Sequence, residues 1–222
     1  MAVGAGIGGG FEHTSELKPM KYDEAMQKDL EGWSKSVEKE YGHMHDHKVF
    51  KTVKIEDVPP NAKILTSTWA MKQKADGTKR ARINARGFEQ KPGEHYNTTG
   101  VASPVVNEAS IFIILILMVM GRMVGELNDV KGAFLTGTFS QGEQLYMHVP
   151  QGFEKFYPSN VVLLLLKTIY GLKQAAYEYW KGLLNVIKIT GLQKNVVDTC
   201  VYFQWTSDGL NVWSSWVEDI IL

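Results

Sequence analysis

Apolar residues recur at spacings of three and four through Tyr22, Met26, Leu30, Trp33, Val37 and Tyr41, with Lys, Glu and Asp between them. That period predicts one amphipathic helix whose apolar face docks on the rest of the protein. Ile111 to Met120 is apolar at every position, which predicts a buried helix; about 10 residues is half of the ~20 that a bilayer crossing needs, so no membrane span is expected. Ile64 to Ala75 and Thr78 to Arg86 read as two strands joined at Asp76-Gly77, a strong hairpin signal. Val124 to Val130 reads as a strand carrying Asp129, with 131–137 as its exit into a turn. Strands or loops follow over 144–149, and Val161 to Leu166 is short enough for a strand. Helical spacing returns from Tyr170 to Thr190 through Leu172, Ala176, Tyr179, Leu183 and Ile187. Cys200 to Trp205 and Leu210 to Val217 read as final strands around a Ser207-Asp208-Gly209 turn. This mixture of elements fits an α+β fold.

Alternation sharpens the reading of the hairpin. Arg80, Arg82 and Arg86 share one strand face by period two, while Ala81, Ile83 and Ala85 take the other. Lys72 and Lys74 share a face of the first strand, and they join the arginines only if the loop has three residues, 75–77, with Gly77 left-handed. That loop is the preferred reading, since a two-residue turn would set lysines and arginines on opposite faces.

The formal net charge is zero over 222 residues, which would argue against a nucleic-acid partner if the charges were evenly spread. They are not. Residues 63–91 hold 8 Lys/Arg against 2 Asp/Glu, whereas residues 1–60 hold 8 against 11 and residues 92–222 again hold 8 against 11. A basic insert thus sits in an acidic frame. The single Cys200 excludes an internal disulfide and any Cys-based zinc site. His43, His45 and His47 alternate through HMHDH, but no fourth ligand is evident and a polar loop is the simpler reading. Glycines within residues 4–10 imitate a phosphate-binding fingerprint without a preceding strand or a following helix, so residues 1–18 read as a flexible Gly-rich tail.

Three segments carry specific chemistry through their order: Asp129-Val-Lys-Gly-Ala-Phe-Leu, then Thr168-Ile-Tyr-Gly-Leu-Lys-Gln-Ala, then Trp216-Val-Glu-Asp-Ile. Singly, an Asp before a turn or an exposed acidic pair is an ordinary surface feature. Together with Ser67-Thr-Trp-Ala-Met-Lys-Gln-Lys, Ala81-Arg-Ile-Asn-Ala-Arg-Gly-Phe-Glu-Gln and Tyr146-Met-His-Val-Pro-Gln-Gly-Phe, they resemble the reverse transcriptase domain of Ty1/copia-type retrotransposons. The resemblance runs from about Tyr22 to the end. It implies a right-hand polymerase fragment over 19–222, with fingers at about 45–103 and 138–168 and an antiparallel palm sheet backed by helices at about 104–137 and 169–222.

What the resemblance implies for individual residues follows from the chemistry. Transfer of a nucleotide to a primer 3′-oxygen builds charge on attacking and leaving oxygens, and two Mg²⁺ ions about 3.5–4 Å apart can stabilise both. Hard ions need converging oxygen ligands, and the family pattern assigns catalysis to Asp129, Glu218 and Asp219. The metals, Mg²⁺ or alternatively Mn²⁺, fall to Asp129, Asp219 and the Val130 carbonyl. Lys72, Lys74, Arg82, Phe134 and Gln174 are implied nucleotide contacts, with Phe134 excluding a 2′-hydroxyl, although an ordinary core Phe remains open. Arg80, Arg86, Gly171 and Lys173 are implied template or primer contacts. The implied partners are an RNA or DNA template with primer, deoxynucleoside triphosphates and the ribonuclease H and integrase of a polyprotein, in the cytoplasm, in virus-like particles, or in the nucleus.

Departures from the family pattern lie at Glu218, where Asp is usual, at Trp216 for Tyr, at Asn128 for an apolar residue, at Ala176-Tyr177 for Pro-Arg and at Phe112 for Arg. One extra methylene moves a carboxylate by about 1 Å, which can cost on the order of 10²-fold in rate. Leu222 ends the chain inside the strand expected after the acidic turn. The expectation is therefore a polymerase fragment, with a catalytically inactive nucleic-acid-binding remnant as the alternative.

Overall fold

The computed structural model describes residues 18–74, 76–139 and 142–221; most of the expected Gly-rich tail lies outside them. Two helices, α1 (Tyr22–Lys28) and α2 (Leu30–Asp46), replace the single expected helix. Asp29 separates them in an extended conformation, and its carboxylate accepts from Gly32 N at 2.9 Å as the N-cap of α2. Apolar spacing continues across this break because both helices lie on the same core. Trp33, Val37 and Met44 of α2 are buried there. His43 and His45 close the last turn of α2 and His47 caps it, which corrects the polar-loop reading of the histidines.

The next strands, β1 (Phe50–Lys54), β2 (Ile64–Leu65), β3 (Ser67–Gln73) and β4 (Lys79–Ala85), divide between two sheets. β3 and β4 form the expected hairpin with Trp69, Met71, Ala81, Ile83 and Ala85 facing the core. Both of its outer edges are covered. Met20 pairs with Met71 on the β3 side through bonds of 2.7 and 3.1 Å. On the β4 side, Ser36 Oγ of α2 donates to Lys79 O at 3.2 Å and Glu40 Oε1 accepts from Ile83 N at 3.2 Å. Satisfied edges keep a two-stranded sheet from recruiting another chain. β1, an exposed and Lys-rich edge strand with no clean alternation, is one that hydropathy alone did not predict.

α3 spans Glu108–Gly121, β5 Leu127–Asp129, β6 Leu145–His148, β7 Val161–Leu165 and α4 Ala175–Ile189. β8 (Gln193–Lys194), β9 (Val201–Thr206), β10 (Gly209–Trp216) and β11 (Asp219–Ile221) complete the chain. One sheet runs β1-β7-β6-β2, antiparallel except for the parallel β2–β6 pair; the other, β5-β11-β10-β9-β8, is antiparallel throughout. Leu183 and Ile187 of α4 pack with Tyr202 and Ile220, whereas Ile114 of α3 packs with Val201 and Val106. Successive residues of a strand face opposite ways, so α4 and α3 back opposite faces of the five-stranded sheet.

The expectation that α3 is buried is corrected. Ile114 alone among its residues is buried, while Phe112, Ile113, Ile116, Val119 and Met120 are exposed. A helix that is apolar all round has one stripe to give to one sheet, and no other described element covers the rest.

Candidate active site

The acidic residues meet where β5 and β11 pair. Asp129 stands opposite Asp219 in the ladder, and Val130 N donates to Glu218 O at 3.0 Å one position on. Because hydrogen-bonded and non-hydrogen-bonded pairs alternate, Asp129 and Asp219 form a non-hydrogen-bonded pair, the arrangement in which opposed side chains lie closest. Both are exposed. The link from β10 to β11 is the two-residue turn Val217-Glu218, with Val217 at φ +54°. A β-branched residue in the left-handed region costs roughly 1–3 kcal/mol and persists only where its surroundings impose it. Here the β10–β11 and β11–β5 ladders impose it from both sides.

Glu218 is half-buried, and burial pushes its carboxyl above the ordinary range. Asp129 and Asp219 push in the same direction, while the positive charge of Arg82 opposes them. The same acids act on the buried Tyr179 of α4, whose hydroxyl is raised to about 12, first by burial and then by Glu218, Asp129 and Asp219.

The basic wall is the outer face of the β3–β4 hairpin. Lys74 N donates to Thr78 O at 2.8 Å and Gly77 N to Lys74 O at 2.9 Å, with Gly77 at φ +79°. The Lys74–Thr78 pair therefore closes a three-residue loop, Lys72 lies directly opposite Arg80, and Arg82 follows on the same face opposite Ala70. Lys79, on the other face, is spent on α2 in an ion pair with Asp29 at 2.6 Å beside the Trp33 ring. Arg86 lies beyond the strand end and is exposed.

Arg82 joins the two walls. Its guanidinium lies 4.5 Å from the centre of the Tyr170 ring, and its charge is felt by Glu218. Between the walls runs a cleft of about 660 Å³ lined by Lys74, Arg80, Arg82, Asp129, Val130, Tyr170 and Glu218. Sequence reasoning missed the side contributed by α2, where Lys39, Glu40 and His43 line the cleft, and it missed Lys131. One signal was present: Glu40 falls on the buried helical stripe between Val37 and Met44, where a carboxylate needs a reason.

The remaining expected residues occupy a second layer. Phe134 is partly buried, edge-on to Tyr170 with ring centres 5.2 Å apart. Gly171, at φ +88°, lets the chain cross the end of β4, since a Cβ there would overlap the Ala85 carbonyl; Ala85 N donates to Tyr170 O at 2.8 Å. The close approach that this glycine permits is thus backbone against backbone. Gln174 is buried, accepting from Gln90 Nε2 and donating to His95 O, both at 2.9 Å. Lys173 projects its side chain at the surface.

Magnesium is usually held by one or two carboxylates and completed by waters and substrate phosphates. Asp129, Asp219 and the Val130 carbonyl, which already accepts from Ala133 N at 3.2 Å, are hard oxygen donors of that kind. Among the described residues no group of three His, Cys, Asp or Glu side chains forms a ready ion site.

Asp129 and Glu218 thus share one cleft with the basic residues of the hairpin. The chain belongs to the reverse transcriptase (RNA-dependent DNA polymerase) family, whose model matches residues 48–222. Its relatives place it in the Ty1/copia type as a partial domain. It is 33% identical over 177 residues to the retrovirus-related Pol polyprotein from transposon TNT 1-94 of Nicotiana tabacum, covering 77% of this chain and 13% of that protein. It is 31% identical to the corresponding polyprotein from transposon RE2 of Arabidopsis thaliana, covering 74% and 11%. To the Ty1-MR1 Gag-Pol polyprotein of Saccharomyces cerevisiae it is 27% identical, covering 82% and 10%. The chain thus spans little more than a tenth of the length of these relatives.

Proposed function

We propose that this chain is the fingers and part of the palm of an RNA-directed DNA polymerase that transfers deoxynucleotides to a primer 3′-hydroxyl. The hairpin and the four-stranded sheet, about 45–103 and 138–168, are the fingers; the five-stranded sheet with α3 and α4, about 104–137 and 169–222, is the palm. One observation carries the reading: Asp129 and Asp219 are paired in register, and Asp129 and Glu218 line a cleft shared with Arg80 and Arg82.

Asp129, Asp219 and the Val130 carbonyl would hold Mg²⁺, which when bound stabilises the charge on attacking and leaving oxygens. The protein's own groups position the substrate. Arg82, Lys74 and Arg80 line the cleft where a triphosphate and a template backbone would lie, and guanidinium forks suit phosphate oxygens. Phe134 blocks the space of a 2′-hydroxyl, and the Tyr170 ring keeps it in place. Lys72, Arg86, Gly171, Lys173 and Gln174 act from farther out, Gln174 by fixing the 90–95 loop. Template with primer, deoxynucleotides and the remainder of a Pol polyprotein are the partners this reading requires.

A second reading, a nucleic-acid-binding remnant without turnover, is favoured by the Glu218 departure. Incorporation of a labelled deoxynucleotide on a primer-template with Mg²⁺ separates the two. Binding without incorporation selects the remnant, and absence of binding at low salt removes both.

A further inference from the structure

We propose that α2 is a third side of the nucleic-acid site, where Lys39 on the helix and Lys131 just beyond Asp129 hold the phosphate backbone of a primer-template. This rests on the reading of the chain as a polymerase that binds nucleic acid. α2 lies outside the stretch matched by the family model, which begins at residue 48, yet it is built into both walls of the cleft. Toward the hairpin, Ser36 Oγ donates to Lys79 O and Glu40 Oε1 accepts from Ile83 N, each at 3.2 Å. Toward the acids, the end of the helix packs on the turn that follows Asp129: a Cβ on Gly132 would stand 3.1 Å from His43 Nε2 and 3.2 Å from His47 Nε2. Gly132, at φ +69°, has no side chain and so admits that approach. Lys39 and Lys131, the residue before Gly132, are thereby placed about one cleft by packed elements.

The ion pairs show which cations are free to act. On α2, the exposed Lys35 is tied to Glu31 at 2.6 Å. Lys39, one turn further on, is exposed at the cleft and has no ion pair among the described residues, and the same holds for Lys131. Across the cleft Lys74, Arg80 and Arg82 are likewise without an ion pair among the described residues, whereas Lys79 is spent on Asp29. Cations set about one space without ion-pair partners are available to a polyanion, and each phosphate they neutralise releases a condensed counterion. Of the α2 acids at the cleft, Glu40 is turned to Ile83 N, and Asp46 lies about 10 Å further along the helix axis than Lys39. Lysine, a point charge on a flexible stem, suits backbone phosphates that are met without regard to sequence.

The test is the salt dependence with which the 222-residue chain binds a labelled DNA primer annealed to an RNA template, at constant Mg²⁺. Lys39→Ala and Lys131→Ala should each lower the slope of log affinity against log salt by about 1, and together by about 2. Lys35→Ala, on the same helix but paired and away from the cleft, should leave the slope as it is in the parent. A parent slope retained by either Lys39→Ala or Lys131→Ala overturns the proposal, as does an equal loss in Lys35→Ala. So does weaker binding of deoxythymidine triphosphate with the primer-template slope kept, which would assign these lysines to the triphosphate instead. A parent chain that fails to bind primer-template at low salt discards the polymerase reading itself, and the third side with it.

Discussion

The two walls of the cleft are built differently. On the acidic wall, Asp129, which lines the cleft, and Asp219 beside it are placed by a strand ladder only three residue pairs long, so backbone pairing sets the carboxylates with short side chains and little slack. On the basic wall, Lys74, Arg80 and Arg82 reach into the cleft on long side chains, and the hairpin beneath them is aligned by α2 along its edge. Position is thus set by backbone pairing on one side and by the reach of long side chains on the other. The acidic wall should therefore respond to single-atom changes, and the basic wall in graded steps.

The largest effect is expected on the acidic wall. With the polyprotein sequence that follows in an active relative joined after residue 221, Asp129→Asn should abolish primer extension, whereas Glu218→Asp should raise it by on the order of 10²-fold. Equal extension with and without the Glu218→Asp change would show that the turn tolerates the longer acid. At the joint between the walls, Gly171→Ala would force a Cβ into the Ala85 carbonyl at a positive φ. A loss above about 3 kcal/mol in chemical denaturation is expected, and a loss below about 1 kcal/mol would mean that the crossing relaxes.

A pH series separates the basic wall's support from its contacts. Glu40 has its carboxyl raised from 4.5 to about 7 in the folded protein. Between those values the folded state holds the proton that the unfolded state has released, so stability falls as pH rises through this window and then levels off. His43, lowered by burial and by His47, contributes the opposite slope below its ordinary pKa, since there the unfolded state binds the extra proton. Comparison with Glu40→Gln isolates the first effect. The variant should be the more stable by up to about 3 kcal/mol at pH about 8, and level with the parent near pH ~4.5. A constant difference across the series would deny the buried charge. The smallest effect is graded: Arg80→Ala and Lys74→Ala should each lower the salt slope of primer-template binding by about 1 without changing sequence preference.

Much of this contrast was legible in the chain. Asp76-Gly77 marked the hairpin and its three-residue loop, and alternating Arg80 and Arg82 marked its charged face, because both are short-range features. The acidic turn and the strand bearing Asp129 were legible from motif order. What failed was long-range. The break at Asp29 is invisible to a period that the same core continues on both sides. The apolar run of α3 read as buried because hydropathy reports the residues and not what covers them. The cleft face of α2 and the crossing of Gly171 over Ala85 depend on partners 43 and 86 residues away in sequence. Gln174, read as a substrate contact, has its amide engaged by Gln90 and His95 for the same reason.

The central claim is that Asp129 and Asp219 form one ion-binding pair at the head of the five-stranded sheet. Mn²⁺ added below stoichiometry to the 222-residue chain, with deoxythymidine triphosphate present, tests it through paramagnetic broadening of backbone amide signals. Broadening should centre on 128–131 and 217–220 and disappear in Asp129→Asn and in Asp219→Asn. Broadening centred on the His43 and His47 pair, or undiminished when either aspartate is replaced, would contradict the assignment.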